Sequence, residues 1–218
     1  MLQWNCRSIT TTLDYIVHYI STKYFDLLTE REVELNCQPQ KLPHLEGYYH
    51  PPVCGPTSPD RRVMVCIYVK LRMHFSIVAD KAGPANGYIS AVRVRVKGNP
   101  DISIVNCYTP TPCASFEWLS GLGGKGGCVV MAEFNGRDRC WELGWESSSP
   151  VLISQIKDSC FVILNDGSYT RIPGRSDQRP SAIDVTFASA GGVGYEVGVD
   201  IYALLRSPSY DHQHDPCG

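Results

Sequence analysis

The chain has 218 residues, 43% of them hydrophobic, which is enough for a sizeable core in one large domain or two small ones. Its formal net charge of -2 and sequence pI near 6.3 exclude nucleic-acid binding by bulk positive charge, so any such binding must depend on local patches or a metal ion. No segment approaches the ~20 apolar residues of a membrane span, and the first residues, MLQWNCRSITTT, have no apolar signal region. The sequence therefore predicts an intracellular protein that does not enter a membrane.

The ten cysteines include no CxxC pair, and the closest two, Cys107 and Cys113, have a spacing that fits no common zinc pattern. An even count of cysteines permits a disulfide framework. In an intracellular protein, however, we expect scattered thiols that are mostly reduced and partly buried.

The predicted elements begin with a short strand, LQWN, followed by a helix in TTTLDYIVHYIS, where Leu13, Ile16, Val17 and Ile20 recur at helical spacing. A second, short helix is predicted in SFEWLSGL, and the glycine run GLGGKGG is interpreted as a turn. Seven further segments read as strands, and several are continuously apolar, as expected when both faces of a sheet are covered. They are RRVMVCIYVK, ISAVRVRVK, DISIVNCY, CVVMAEFN, CFVIL, SAIDVTF and YEVGVDIY. This pattern predicts an α+β sandwich with packed sheets inside and helices outside.

Several predicted strands carry acids, amides or a tyrosine at their ends, and an Asp-His pair lies near the C-terminus. They are Asn5, Tyr108, Glu133, Asn135, Asp184, Asp211 and His212. Rigid scaffolds place their chemistry at such strand ends. The set suits phosphodiester hydrolysis, because hard oxygen ligands can hold Mg²⁺ against a phosphate and a carboxylate can deprotonate the attacking water. A histidine kept protonated by a neighbouring Asp, and a tyrosine hydroxyl, can donate to the phosphoryl oxygens.

The order of these motifs along the chain resembles the endonuclease/exonuclease/phosphatase superfamily, which has the deoxyribonuclease-I-like (DNase-I-like) fold. More narrowly, it resembles the apurinic-type endonuclease domain of non-LTR (LINE-type) retrotransposons. The segments that carry the resemblance are LQWNCRSI, LPHLEGYYHPP, VCIYVK, IVNCYTP, AEFNGRDRCW, LNDGSYTRI, SAIDVTFAS and SYDH. The resemblance implies a single domain over residues 1–218, with the last few residues frayed. Its fold would be a four-layered α/β sandwich, in which two packed mixed β-sheets are flanked by helices.

The resemblance also implies roles for individual residues. The metal-binding group would comprise Asn5, Glu34 and Asp211, with Glu32 as the alternative to Glu34, because counting from different flanking motifs favours one or the other. The catalytic group would comprise Tyr108, Glu133, Asn135, Asp184 and His212, with Asp184 orienting His212. Thr170 would lie near the phosphate.

The segment AEFN, which contains Glu133 and Asn135, gives one further expectation and departs from the family pattern in one respect. Arg137 flanks the motif and is predicted to meet a DNA phosphate, with a solvated turn as the alternative. The family motif GDFN is replaced by AEFN, so Glu133 stands where an aspartate normally handles the water. One extra methylene shifts the carboxylate by roughly a bond length, and such misplacement can lower a rate on the order of 100-fold.

These features together predict a Mg²⁺-dependent DNA endonuclease domain of a non-LTR retrotransposon, with Mn²⁺ as a substitute cofactor. The expected partners are DNA and a reverse transcriptase domain outside this chain, and the expected state is a monomer that acts in the nucleus. Two alternatives stay open: a catalytically degenerate remnant that binds DNA without cutting it, and a phosphatase of the same superfamily.

Overall fold

The structure, a computed structural model, describes residues 1–36, 42–50, 62–78, 87–98, 100–111, 118, 126–136, 140, 150–158, 161–165, 169–170 and 181–189. The helices within these ranges are α1 (Ile9–Thr22) and α2 (Pro150–Asp158). The strands are β1 (Leu2–Asn5), β2 (Leu27–Asn36), β3 (Tyr48–Tyr49), β4 (Arg62–Lys70), β5 (Phe75–Ile77), β6 (Tyr88–Val94), β7 (Ile102–Tyr108), β8 (Cys128–Glu133), β9 (Phe161–Ile163) and β10 (Asp184–Ser189). The predicted strand YEVGVDIY and most of the predicted helix SFEWLSGL lie outside the described residues.

The strands form two sheets. One has four strands in the order β1-β2-β4-β3, and the other has six in the order β5-β6-β7-β8-β10-β9. Each sheet contains a parallel pair, β1 with β2 and β7 with β8, and the other neighbouring strands are antiparallel. Both sheets are therefore mixed, and the predicted α+β class with two mixed sheets is confirmed.

Three buried apolar clusters fix the order of the layers. Outside the four-stranded sheet, Ile9 and Ile16 of α1 pack with Tyr68. Outside the six-stranded sheet, Ile156 of α2 packs in a cluster with Phe187. The third cluster lies between the sheets and comprises Leu27, Ile67, Val69, Val92, Val94, Ile104, Val129 and Met131. The layers are helix, sheet, sheet and helix, as a four-layered sandwich requires.

Most of the apolar residues that recur at helical spacing in α1 pack against the four-stranded sheet. Ile16 is fully buried, and Leu13 and Ile20 pack partly against the same cluster. Val17, one position beyond Ile16, is 45% exposed. One apolar stripe of the helix therefore faces the sheet, and the opposite side faces solvent.

The layer between the sheets changes from apolar to polar along the strands. On β2 the side chains that face the other sheet are successively Leu27, Thr29 and Arg31. Leu27 belongs to the apolar cluster, and the Thr29 hydroxyl lies 3.5 Å from the sulfur of Met131. Arg31 contacts Asp184 on the opposite sheet. The polar end of this layer is where β1, β7 and β8 terminate and where β10 begins.

A buried amide also joins the two sheets. The Nδ2 of Asn106, on β7, donates hydrogen bonds to the carbonyl oxygens of Glu30 (2.7 Å) and Cys66 (2.9 Å), which belong to neighbouring strands of the other sheet. Because both carbonyls are buried, these bonds help to hold the sheets in register.

Two further expectations concern thiols and membranes. Cys6, Cys66 and Cys128 are buried and form no disulfide, and the reduced state of the cysteines stays a prediction. Neither described helix has the length and apolar character needed to cross a membrane.

Candidate active site

Three of the predicted catalytic side chains lie in one row across the six-stranded sheet. Strand register pairs Tyr108 with Glu133, and Glu133 with Asp184. Side chains in register on neighbouring strands project from the same face of a sheet. All three are buried, with exposures of 8% for Tyr108, 1% for Glu133 and 3% for Asp184. The sheet therefore delivers a phenol and two carboxylates to one place, although 76 residues separate Tyr108 from Asp184 along the chain (184 minus 108).

The four-stranded sheet brings Asn5 to the same place. Asn5 is the last residue of β1, and its Nδ2 donates a hydrogen bond of 2.5 Å to Oε2 of Glu133. The Asn5 Oδ1 accepts a hydrogen bond of 3.2 Å from the backbone N–H of Arg7. The two sheets thus meet through a contact between two residues that the sequence places in the site.

Arg31 lies beneath this contact and was not predicted as a site residue. Its side chain is fully buried, its Nη2 donates to Oδ1 of Asp184, and its Nε lies 3.9 Å from Oε2 of Glu133. With the Gln3 amide oriented so that its oxygen faces the guanidinium, Gln3 accepts from Nη1 at 2.7 Å and from Nη2 at 2.6 Å. The Gln3 nitrogen then donates to the Thr186 hydroxyl at 2.9 Å. A buried cation therefore links β1, β8 and β10 to β2.

The charges around Glu133 do not cancel. Burial and the neighbouring carboxylate of Asp184 raise the pKa of Glu133 to about 8, and the carboxylate of Glu32 acts in the same direction. Arg31 and the hydrogen bond from Asn5 offset only part of this rise. An excess of negative charge at a buried carboxylate is the electrostatic setting that a bound cation would relieve.

Tyr108 and Asn135 line the same end of the sheet. Burial raises the pKa of the Tyr108 hydroxyl above its ordinary value, and the charges of Glu32 and Glu133 add to the rise. Its hydroxyl interacts with the side chains of Glu32 and Asn135, so Tyr108 stays a neutral donor through the physiological range. Asn135 is exposed, adopts a left-handed φ of 47°, and donates from Nδ2 to the carbonyl oxygen of Thr109 at 2.8 Å.

The structure places Glu32, and not Glu34, beside the other site residues. β2 carries an irregularity between Arg31 and Leu35, and within it Glu32 and Glu34 both have positive φ, 50° and 53°. Glu32 is half-buried and interacts with Tyr108 and Glu133, whereas Glu34 is exposed. Glu34 makes no hydrogen bond or ion pair within the described ranges. The geometry therefore favours Glu32, the alternative, over Glu34 as the candidate metal ligand, and the assignment of a metal ligand stays a prediction.

The backbone is strained at the same end of the molecule. Among the described residues, five non-glycine residues have positive φ: Arg7, Ser8, Glu32, Glu34 and Asn135. All five follow closely after Asn5, Arg31 or Glu133. Non-glycine residues in this region are energetically unfavourable and concentrate at functional sites, where the surrounding structure holds them.

Thr170 supports the site from behind. It is buried, and its hydroxyl accepts a hydrogen bond of 3.0 Å from the backbone N–H of Asp184. The Asn165 side chain donates to the carbonyl of Asp184 at 2.8 Å and accepts from the N–H of Thr186 at 2.7 Å. The contacts of Thr170 fix the start of β10, and its contact with a phosphate stays a prediction.

Three other predicted residues, Arg137, Asp211 and His212, lie outside the described residues.

Arg31 could have been found from the sequence. The alternation Leu27, Thr29, Arg31 places it on the inward face of β2, and a charged side chain there needs a buried partner of opposite charge.

The donor set fits Mg²⁺ in chemical type. Glu32 offers a carboxylate and Asn5 offers an amide oxygen, and hard oxygen donors are what Mg²⁺ prefers. In the part of the chain that the structure describes, no three acidic, histidine or cysteine side chains are grouped so as to hold a metal ion by themselves. Mg²⁺ does not require such a cage, because it keeps several waters and usually takes one or two carboxylates from the protein.

The sequence matches no protein-family model and no curated protein. Solved structures do match. An AP endonuclease from Archaeoglobus fulgidus is 16% identical with a TM-score of 0.58, over 86% of each chain. AP endonuclease LMAP from Leishmania major is 12% identical with a TM-score of 0.64, over 86% of this chain and 78% of that one. The 3′ phosphatase NExo from Neisseria, bound to a product DNA hairpin, is 15% identical with a TM-score of 0.53, over 87% of this chain and 86% of that one.

These likenesses show the fold. Among the structures that match are AP endonucleases, a 3′-5′ exonuclease and a 3′ phosphatase. This chain therefore shares the fold of these structures, the DNase-I-like fold that its motifs predicted.

Proposed function

We propose that this chain is a metal-dependent hydrolase of phosphodiesters that nicks DNA, the endonuclease domain of a non-LTR retrotransposon. The observation that carries the proposal is the convergence of Asn5, Tyr108, Glu133 and Asp184 at one end of the layer between the two sheets. Glu32 joins them through its interactions with Tyr108 and Glu133.

Glu133 is the residue proposed to accept the proton of the attacking water. Burial and neighbouring carboxylates raise its pKa to about 8, so its ionised form is a stronger proton acceptor than an ordinary glutamate, and the ionised fraction grows as pH rises toward 8. Asn5 holds one of its oxygens at 2.5 Å and so fixes the direction of the carboxylate. A base held in this way meets the water in a defined geometry, which is where much of a rate enhancement originates.

Tyr108 is proposed to donate a hydrogen bond to a phosphoryl oxygen. Its raised pKa keeps the hydroxyl protonated at neutral pH, and a preformed donor aimed at developing negative charge lowers the barrier. Asn135, next to it, is proposed to orient the water or the Glu133 carboxylate. Glu32 and Asn5 are the proposed ligands of Mg²⁺ or Mn²⁺, which when bound would neutralise charge on the phosphate.

Three predicted residues outside the described ranges keep their roles in this proposal. Asp211 is a further metal ligand, His212 is a donor to the phosphate, and Arg137 contacts the DNA backbone. Asp184 is proposed to orient His212, although in the structure its Oδ1 accepts from Arg31.

Sequence motifs support the retrotransposon assignment and DNA as the substrate. LNDGSYTRI followed by SAIDVTFAS is specific to the retrotransposon branch of the resemblance, and a structure with the same fold binds a DNA hairpin. The proposal includes a monomer that acts in the nucleus and a reverse transcriptase domain as the partner. A phosphatase acting on a small phosphoester is the less favoured reading.

Nicking of supercoiled plasmid tests the proposal. We expect nicks in the presence of Mg²⁺ or Mn²⁺, and no nicks when EDTA is added. A panel of plasmid, abasic duplex and inositol phosphates separates an endonuclease from a phosphatase. Nicking that is indifferent to EDTA, or activity on inositol phosphates alone, contradicts the proposal.

A second candidate is a remnant that binds DNA without cutting it. Two observations favour it: Arg31 occupies Oδ1 of Asp184, and Glu133 replaces the shorter acid of the family motif. Glu133→Asp distinguishes the candidates. A gain in nicking identifies an impaired enzyme, whereas no nicking by either protein, with DNA binding retained, identifies the remnant.

A further inference from the structure

Arg31 sits at the centre of the site without belonging to the proposed chemistry. Its side chain is fully buried and touches residues from three other strands: Gln3 on β1, Glu133 on β8 and Asp184 on β10. Its guanidinium brings a positive charge into the site. Because it is buried, salt screens its field much less than that of a surface charge.

The three carboxylates of the site differ in their distance from this cation. Asp184 accepts directly from Nη2, and Glu133 lies 3.9 Å from Nε. We call these two the inner carboxylates. Glu32 is half-buried on the irregular part of β2, next to Tyr108, and with Asn5 it forms the outer donor pair. The guanidinium therefore offsets part of the negative charge of the two inner carboxylates, and it forms no ion pair with the outer donor pair.

A guanidinium and a divalent cation compete for the same kind of partner. An inner carboxylate that already pairs with a buried cation attracts a second cation less, and the positive charge itself repels a metal ion nearby. Both effects act over a few ångströms in a site of low dielectric, where charge interactions are strong.

We propose that the positive charge of Arg31 prevents the inner carboxylates, Asp184 and Glu133, from binding a divalent metal ion. Metal binding is then confined to the outer donor pair, Glu32 and Asn5, and Arg31 also weakens it there. This inference rests on the proposed metal-dependent function, because it concerns the same site. Arg31 is then a residue that sets the charge of the site by holding Asp184 and Glu133, and it does not touch the reacting atoms.

Mn²⁺ binding measured by isothermal titration calorimetry tests the inference on four proteins: wild type, Arg31→Gln, Asp184→Asn and the double variant Arg31→Gln/Asp184→Asn. Arg31→Gln removes one positive charge, so we expect Mn²⁺ to bind on the order of tenfold more tightly than to wild type. Asp184→Asn removes one negative charge and should weaken binding by a similar factor. The double variant restores the net charge of the site, and its affinity should return to within about threefold of wild type.

The design stays decisive if Arg31→Gln alone does not fold, since a buried carboxylate without its partner is strongly destabilising. The double variant replaces the ion pair with a neutral Gln-Asn pair, and circular dichroism checks that it is folded. It differs from Asp184→Asn only in Arg31, and it should bind Mn²⁺ about tenfold more tightly than that variant.

Equal or weaker binding by the double variant relative to Asp184→Asn overturns the inference, even if wild type binds Mn²⁺ and nicks DNA. Absence of Mn²⁺ binding in all four proteins has a different meaning: it overturns the metal-dependent function itself, and this inference with it.

Discussion

Glu30 and Glu133 are both buried carboxylates, and burial raises the pKa of each to about 8. Their surroundings differ. Both oxygens of Glu30 lack a nitrogen or hydroxyl donor among the described residues, and the weak Cys6 thiol is the donor beside them. Glu133 accepts from Asn5, lies beside Asp184 in register and approaches Arg31. A raised pKa alone therefore does not mark a catalytic residue, and the convergence of other functional groups distinguishes the site from the core.

The two residues also differ in what holds them in place. Glu30 pairs with Cys66 across β2 and β4, and burial dominates its pKa, with partial relief from Cys6 and Arg31. At Glu133 the carboxylates of Asp184 and Glu32 add to the effect of burial. We expect Glu30 to matter for stability and Glu133 to matter for activity.

The largest expected effect is on nicking by Glu133→Gln. Glutamine keeps the size of the side chain but cannot accept the proton, and a general base contributes on the order of 100- to 10,000-fold. Plasmid nicking at saturating Mg²⁺ measures the loss. Glu30→Gln is the matched control, and its rate should stay within about twofold of wild type. Comparable losses in both variants would remove the distinction between the two carboxylates.

The next effect is on stability at Glu30. Its folded pKa is above the unfolded value of 4.5, so the carboxylate destabilises the fold increasingly as pH rises from about 4.5 to about 8. Glu30→Gln removes this charge, and its free energy of unfolding should exceed that of wild type by on the order of 3 kcal/mol near pH 8, with little difference near pH 4.5.

Urea unfolding in EDTA at several pH values checks this, because EDTA excludes any contribution from a bound cation. A stability advantage that shrinks as pH rises would show that Glu30 is ionised and paired in the fold.

A smaller effect is expected on the apparent affinity for Mg²⁺, where Glu32 and Glu34 should differ. We expect Glu32→Gln to weaken the apparent affinity for Mg²⁺ on the order of 10- to 100-fold, because it removes a charged oxygen donor. Glu34→Gln removes an equal charge from the exposed side of the same irregular segment and should change the affinity less than about threefold. Mg²⁺ titrations of the nicking rate compare the two variants, and a larger loss in Glu34→Gln would reverse the assignment.

The smallest effect is at Asn106, which connects the strand that carries Glu30 to the sheet that carries Glu133. Asn106→Leu leaves two buried carbonyls without this donor, and we expect a loss of about 1–3 kcal/mol in the free energy of unfolding. Nicking at 25 °C should persist, because Asn106 does not contact Glu133. Unchanged stability would show that the amide does not hold the two sheets together.

The sequence predicts the fold class and most of the longer strands, because periodic apolar patterns report directly on layers and sheets. It does not predict β2 or α2, whose segments show no comparable apolar pattern. Tyr108, Glu133 and Asp184 could be placed together, since each ends or begins a strand and strand ends meet at a sheet edge. The choice between Glu32 and Glu34 could not be settled in this way. An irregular strand with two left-handed residues breaks the alternation from which a side chain's direction is inferred.

The sequence can point to Arg31 as an inward-facing charge, but it does not show which residues Arg31 contacts. A charged residue on the inward face of a strand signals a buried partner, but the identity of that partner depends on how the two sheets stack. Its contacts with Gln3 and Asp184 join residues 28 and 153 positions away (31 minus 3 and 184 minus 31), and no local pattern encodes them.

The most direct measurement is an anomalous difference map from a crystal of this protein soaked in Mn²⁺. We predict a peak at the polar end of the layer between the sheets, within ligand distance of Glu32 and Asn5 and on the opposite side of Glu133 from Arg31. A Mn²⁺ ion bound elsewhere on the molecule, with no peak beside Glu32, would contradict the account.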